Sequence, residues 1–445
     1  MKTTAFFASE RELGRTVTAQ QLMLVHITNL QDLMAVYGTS FYRDAATFIE
    51  TRLESLGGQK PAVALNGSYI FIDLQACPNI TFYSQDTWCE HVHALLAYEP
   101  VICAKEKVFL GIETTFIDRN DQEFLLANDC DPSGTKNKIK AAATPKKRNQ
   151  KEKSYKADMA LALCLFSQLA ANTLVLAFQP IKSTKSKGSS IYWESLLRRR
   201  TDPSSSGFAT CAIYIAALER LGLIGRLDRS ILWTILDLLI KHPGIRLGCN
   251  ISALSLKFDC WWRLIFEALQ TQPEVASRLT VEITETSSIT QDDEAITLLQ
   301  VLKVLGCKIA IDDMGSGYST LDFVVRSRPD FVKIDRTYLH LANTVRFPSS
   351  PGILRNLTQL CADLSPCVIT EGIESERDRS DAVAAGADGL QGYLFGRPDV
   401  LPNWLNAPIA VRDAFDSGHP SHFMPLPASI STANTTVFAN PQPGL

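Results

Sequence analysis

Between residues 157 and 400 the chain returns eight times to the same local pattern, an apolar run of strand length set between amphipathic stretches of helical spacing. The runs lie at 174–180, 190–197, 246–252, 278–283, 307–312, 330–334, 366–370 and 388–392. Strands that alternate with helices build a parallel sheet, and eight such units over roughly 230 residues close into a (β/α) barrel. This pattern fixes the fold class expected for most of the molecule, α/β.

A barrel of this kind gathers its chemistry where the strands end C-terminally, so the polar residues at those positions carry the functional reading. Glu194 closes "IYWE" and Asn250 closes "IRLGCN". Glu282 sits in "LTVEITE" with Glu285 just beyond it, and Asp312 and Asp313 end "KIAIDD". Lys333 lies in "DFVKID", Glu371 ends "CVITE", and Gln391 opens "QGYLFGRP". Any one of these alone reads best as an ordinary loop acid or cap. Their shared placement argues against that for the set. Several carboxylates converging on one place repel and must be protonated or neutralised. Oxygen ligands without thiols or imidazoles suit a hard cation, Mg²⁺ or Mn²⁺. Two such ions, about 3.5–4 Å apart, activate a water and stabilise the leaving oxygen of a phosphodiester. The "MGSGYSTL" that follows the two aspartates is open at this level: a phosphate cradle, a turn or a mobile loop beside a metal.

The motifs in order resemble the EAL domains, cyclic di-GMP-specific phosphodiesterases built on a modified TIM barrel. Glu194-Ser195-Leu196 stands for the name motif within "ESLLR", with serine for the usual alanine. "FQP" (178–180), "NIS" (250–252), "VEITE" (281–285), "DDMGSGYSTL" (312–321), "PDFVKID" (329–335), "EGIE" (371–374) and "QGYLFGRP" (391–398) follow in the family's order. Eight weak motifs in order make a strong one. The resemblance implies that Glu194, Asn250, Glu282 and Asp312 ligate a first ion, that Asp312 bridges to a second, and that Asp313 ligates the second. It implies Glu371 as a site acid bearing on that ion or its water, and Lys333 as the residue that orients the attacking water. Arg198 matches the phosphate contact after the motif. Gln179, Leu196 and Gln391 match residues lining the substrate side, and Glu285 matches the anchor of loop 314–320. The implied reaction gives linear 5′-pGpG from cyclic di-GMP, in a homodimer formed through the barrel. Met314, where the family usually has Phe, and Ser195 are departures expected to modulate activity rather than abolish it.

The remaining sequence divides around this barrel. Residues 131–156 hold nine Lys or Arg against Asp131 and Glu152, which reads as a basic flexible linker. Residues 401–445 turn Pro-, Ser- and Thr-rich and are expected to be mostly disordered. Residues 1–130 read as a small α+β domain with a mostly antiparallel sheet, including a hairpin at 61–74 around Asn66-Gly67. Its order before the barrel and its pattern at 25–38 resemble a degenerate GGDEF domain. His26 and Thr28 stand where that family has metal-binding aspartates, so a regulatory or dimerising role, open to a protein partner, is expected in place of cyclase activity, with an unrelated α+β fold as the alternative. "WCEHVHAL" puts Cys89 and His93 four apart on one helical face near His91, but two partly exposed histidines and a buried thiol are expected there rather than a metal site.

The formal net charge of −3 gives no general attraction to DNA. Eleven scattered cysteines without CxxC, an N-terminus lacking a signal-peptide core and no membrane-length apolar segment lead to a cytoplasmic expectation. Two rivals to the enzyme are a non-catalytic cyclic di-GMP receptor acting through a partner and a pure interaction scaffold. The retained acids favour the enzyme.

Overall fold

The computed structural model describes residues 18, 20–54, 62–73, 84–103, 106–119, 145–186, 188–201, 207–284, 293–315, 321–343 and 351–414. In the N-terminal part, strands β1 (Gln21–Ile27), β2 (Ala62–Asn66) and β3 (Tyr69–Asp73) alternate with helices α1 (Leu30–Tyr37), α2 (Phe41–Leu53) and α3 (Gln85–Ala97). Strands β4 (Val101–Cys103) and β5 (Glu106–Val108) pair as a ribbon, and β6 (Ile112–Asp118) completes a four-stranded sheet in the order β2-β3-β1-β6. Every pairing in that sheet is antiparallel. The hairpin is where the sequence put it, but Asn66 pairs with Tyr69, so the two loop residues are Gly67 and Ser68. Gly67 takes the positive φ (58°) that such a turn demands.

The expected basic linker is in part a helix. Residues 145–156 begin α4 (Pro145–Ala170), while 131–144 lie outside the described residues. Lys, Arg, Glu and Gln are good helix formers, and the charge that looks like a solvated linker equally suits an exposed helical face. The opposite stripe, Tyr155, Met159, Ala162, Phe166 and Leu169, is buried.

All eight expected barrel strands are present: β7 (Leu174–Ser183), β8 (Ser190–Arg200), then, after the short β9 (Phe208–Thr210), β10 (Leu247–Ser252), β11 (Leu279–Thr284), β12 (Lys308–Met314), β13 (Phe331–Ile334), β14 (Val368–Thr370) and β15 (Gly389–Gln391). Between them run α5 (Ala212–Leu221), α6 (Ile224–Lys241), α7 (Cys260–Thr271), α8 (Pro273–Ala276), α9 (Asp293–Val304), α10 (Leu321–Ser327), α11 (Arg336–Asn343), α12 (Pro351–Leu364) and α13 (Glu376–Ala385). Neighbours from β8 and β10 through β15 are parallel, whereas β7 runs antiparallel to both β8 and β15 and closes the ring. The reversal follows from chain length. Only residues 184–189 join β7 to β8, and a parallel return needs a crossover of about a dozen residues or more.

Closure between β15 and β7 is short, limited to Gly389–Gln391 against Ile181–Ser183. The rest of that β7 edge is covered by residues 399–411. Asp399 and Phe178 exchange backbone hydrogen bonds of 2.8 and 3.1 Å, and Val411 N–H donates to the Leu174 carbonyl at 2.8 Å. Between them β16 (Ile409–Ala410) pairs with Leu176 and Val175. Leu405 and Val411 are buried, and the Trp404 ring packs 4.9 Å from Phe178 and 5.9 Å from Trp193. Residues 401–414 are therefore a strap on the barrel rather than a disordered tail; 415–445 lie outside the described residues. A Pro-rich segment is compatible with an edge strand, where few backbone donors are needed. The strap ends on Asp413, which accepts from buried Arg226 at 2.5 Å. Asp413→Ala is expected to cost about 3–5 kcal/mol in denaturant unfolding, because it strands a buried guanidinium; a loose tail would give no change. Among the described residues no helix is long and apolar enough to cross a membrane.

Candidate metal and phosphodiester site

The residues singled out at the strand ends meet on one rim. Lys333 of β13 is wholly buried, and its Nζ lies 3.2 Å from Glu194, 3.0 Å from Glu282, 2.9 Å from Asp312 and 2.8 Å from Glu371. Asn250 Nδ2 donates to Glu194 Oε1 at 2.9 Å. Gln391 Nε2 donates to Glu194 Oε2 at 2.5 Å and to Gln179 Oε1 at 3.2 Å, and Gln179 Nε2 donates to the Gly396 carbonyl. Gln179 reaches the site from the reversed strand, directly across from Glu194 in the β7–β8 register.

Adjacent residues of a strand ordinarily point to opposite faces, yet Asp312 and Asp313 both serve this rim. The β12–β13 register breaks between Ile311 and Met314, and Asp313 takes a left-handed backbone (φ 53°). The bulge and the left-handed residue turn the second carboxylate toward the first. Two groups of acids result, Glu194–Glu282–Asp312 and Asp312–Asp313–Glu371, each able to bring one oxygen apiece within 4.8 Å of the others. Asp312 belongs to both.

Five carboxylates face one lysine, and the site's proton affinity records the imbalance. Burial pushes Glu282 up to about 8, with the neighbouring Glu194 and Asp312 adding to it against the pull of Lys333. Burial and Asp312 bring Asp313 to about 6, and burial holds Asp312 above and Glu371 well above the usual carboxylate range. For Glu194 burial acts upward, but Lys333, Asn250 and Gln391 together outweigh it and leave it low. Burial disfavours the Lys333 cation, but its ring of carboxylates outweighs that and holds its charge firmly. Glu282 Oε1 and Asn250 Oδ1 are buried oxygens with no hydrogen-bond donor. Unpartnered oxygens, surplus negative charge and an all-oxygen donor set fit a hard divalent cation.

Two contributors went unread in the sequence. Tyr192 Oη donates to Glu282 Oε2 at 3.1 Å; its place two residues before Glu194, on the same strand face, was the available signal. Gly248, two residues before Asn250, leaves room for Glu282: a Cβ there would fall 1.9 Å from Glu282 Oε1 and 2.7 Å from Tyr192 Cε2. A glycine inside a buried strand often marks such an approach. Gly248→Ala is expected to push Glu282 off its position and to cost about 1–3 kcal/mol of stability in denaturant unfolding, as overpacking of a filled interior does.

Of the remaining expected residues, Leu196 and Arg198 lie further along β8, half-buried, with Arg198 Nη1 donating to the Leu197 carbonyl. Glu285 and residues 316–320 of its loop fall outside the described residues. His93 differs from expectation. It is buried rather than partly exposed, with the Arg229 guanidinium 3.1 Å from its Nδ1, and that cation opposes a metal ion there. His26 stacks on Tyr69 with centroids 4.6 Å apart, and its Nδ1 lies 3.3 Å from Glu113 Oε2.

The EAL-domain family model matches residues 164–398. The chain belongs to the EAL-domain family. Curated relatives of the EAL domain include the Escherichia coli K12 cyclic di-GMP phosphodiesterases PdeF, 27% identical over 270 residues (59% of this chain, 35% of PdeF), and PdeR, 28% identical over 237 residues (52% of this chain, 34% of PdeR). Among solved structures, the FimX EAL domain from Pseudomonas aeruginosa bound to c-di-GMP is 25% identical, covers 54% of this chain and 96% of that one, and has a TM-score of 0.46. The chain spans about a third of the length of the curated relatives it matches.

Proposed function

We propose that this EAL domain hydrolyses one 3′–5′ phosphodiester of cyclic di-GMP to linear 5′-pGpG, using two Mg²⁺ or Mn²⁺ ions, and that the N-terminal region regulates it without cyclase activity. The observation that carries the reading is the pair of acid groups sharing Asp312 around a buried lysine. Glu194, Asn250, Glu282 and Asp312 would hold one ion, and Asp312, Asp313 and Glu371 the other. Bound there, the ions supply Lewis-acid polarisation of the phosphodiester oxygens and offset the charge that develops on them.

The chain's own groups do the rest. Lys333 keeps a fixed positive charge at the centre of the ring, where it orients the attacking water and balances the phosphorane. Water oxygen bonds to phosphorus in line as the bond to O3′ breaks, which leaves a 5′-phosphate and a free 3′-hydroxyl. Glu371 sits beside Lys333 at 2.8 Å, so the two bracket the water's approach. Arg198 contacts the phosphate, while Gln179, Leu196 and Gln391 line the nucleotide side. Glu285 anchors the loop after Met314. In the N-terminal region, His26 and Thr28 offer no carboxylate to carry a metal-bound triphosphate, which supports regulation, through a protein partner, rather than synthesis. A homodimer through the barrel and a cytoplasmic setting belong to the same reading.

The test is direct. The full chain incubated with cyclic di-GMP and Mn²⁺ or Mg²⁺ is expected to yield pGpG on chromatography, and none when the metal is chelated. Nucleotide binding without turnover would overturn the enzyme reading in favour of a receptor.

A further inference from the structure

Helix α6 carries three buried charges within one turn, Arg226, Asp228 and Arg229, and they face two ways. The arginines face the N-terminal region and the strap. Arg226 Nη1 donates to the Tyr98 carbonyl at 3.0 Å, and its guanidinium lies 4.0 Å from the Tyr98 ring centroid. Arg229 Nη2 donates to Asp259 at 2.8 Å beside His93 of α3. Asp228 faces the barrel strand. Its Oδ2 accepts from the backbone N–H of Ser252 at 3.1 Å and from Ser255 Oγ at 2.6 Å. Ser252 ends β10, two residues after Asn250, and Ser255 closes the 3₁₀ turn that follows. A second tie, from Ser252 Oγ to Glu219 Oε1 of α5 at 2.8 Å, holds the same corner.

Asp228 is a buried carboxylate that the proposed chemistry does not use. Burial lifts its proton affinity to about 7, against the pull of Ser255 and the Ser252 N–H. A buried acid met by neutral donors costs stability, so stability alone does not account for its presence. What it holds is the end of the strand whose side chain must do two things at once. Asn250 Nδ2 grips Glu194 while Oδ1 is left without a donor.

We propose that Asp228 is a positioning residue for the cation site: it pins the end of β10 so that Asn250 presents Oδ1 to the ion. The inference rests on the metal-dependent reading above. Asp228 lies between the two arginines that dock the N-terminal region, so a shift of α6 at that seam would move the β10 corner with it.

The test uses the full chain and Mn²⁺ without nucleotide, followed by calorimetry and by the paramagnetic resonance signal of free Mn²⁺. Asp228→Ala is expected to weaken Mn²⁺ binding about 10-fold or more. Asp228→Asn, whose Oδ1 can accept from both serines, is expected to retain wild-type affinity. With saturating Mn²⁺, Asp228→Ala should keep the wild-type KM for cyclic di-GMP, with its rate recovered by excess metal. Should Asp228→Ala fail to melt cooperatively, Ser255→Ala, which removes one donor to Asp228 and leaves the Ser252 N–H, carries the test, with an expected loss of several-fold. Wild-type Mn²⁺ affinity in the folded alanine variant overturns the proposal, as does an Asp228→Asn variant as weak as alanine. If the wild type binds Mn²⁺ but turns over no cyclic di-GMP, the hydrolysis reading fails while the Mn²⁺ comparison still decides Asp228. If it binds no Mn²⁺, both fail.

Discussion

Asp312→Ala is expected to lower the rate of cyclic di-GMP hydrolysis by about a thousandfold or more, roughly 4 kcal/mol of lost transition-state stabilisation. Each of the other acids belongs to one of the two carboxylate groups, whereas Asp312 belongs to both. Its loss removes an oxygen from each group and leaves the two groups without a shared member. Raising the Mn²⁺ concentration should therefore not restore the rate, in contrast to a variant that merely weakens one ion. Initial rates over a Mn²⁺ titration measure this. A rate near wild type at saturating Mn²⁺ would exclude Asp312 from the site's chemistry.

The second large effect is on stability and belongs to Lys333. Four carboxylates lie within 3.2 Å of its ammonium, and no part of the residue is exposed. Lys333→Met fills the space but leaves those acids uncompensated, at a cost of about 3–5 kcal/mol without metal. The sign of the pH dependence follows from the acids. Without the lysine, Glu282, Asp312 and Glu371 rise further above their unfolded values and Glu194 loses a cation that holds it low, so the protonated forms keep the fold at low pH and stability falls as pH rises through the raised folded pKa values. The variant should lie close to wild type near pH 5 and fall progressively behind it toward pH 8, where Glu282 is already at about 8 with the lysine present. Mn²⁺ should raise its melting temperature more than it raises that of the wild type, since the cations take over the missing charge. Turnover should stay lost. Equal melting curves at pH 8 would show that the lysine does not neutralise the ring.

The eight strands could be read from the sequence because each is a short apolar run between turn signals, and burial on both faces needs no partner information. The site was readable for a related reason: the polar residue at each run's end stands out against apolar neighbours. What escaped the sequence depends on contacts distant in the chain. Nothing in the local pattern of "LVLAFQPIKS" tells which way β7 runs; the brevity of 184–189 does. The strap 401–414 has the composition of a loose tail, and only its pairing with β7 makes it part of the barrel. Residues 145–156 are basic enough to be read as a linker, and the apolar stripe that makes them a helix begins only at Tyr155. Gly248 looks like a weakness in a strand until Glu282, far along the chain, is seen to need its missing side chain. Asp313 is the mixed case. The pair of aspartates was conspicuous, but the backbone turn that lets both serve one rim was not.

The reversed first strand decides at which face of the barrel the chain enters it. In a regular barrel the segment ahead of the first strand arrives at the face opposite the chemistry. Here Leu174, the first residue of β7, pairs with Arg199 at the C-terminal end of β8, while Lys182 near the other end of β7 pairs with Ser190. Helix α4 therefore delivers the chain to the working rim itself. The 26 residues of α4 thus join the N-terminal region to the same edge of the barrel on which the acids converge, not to the opposite end.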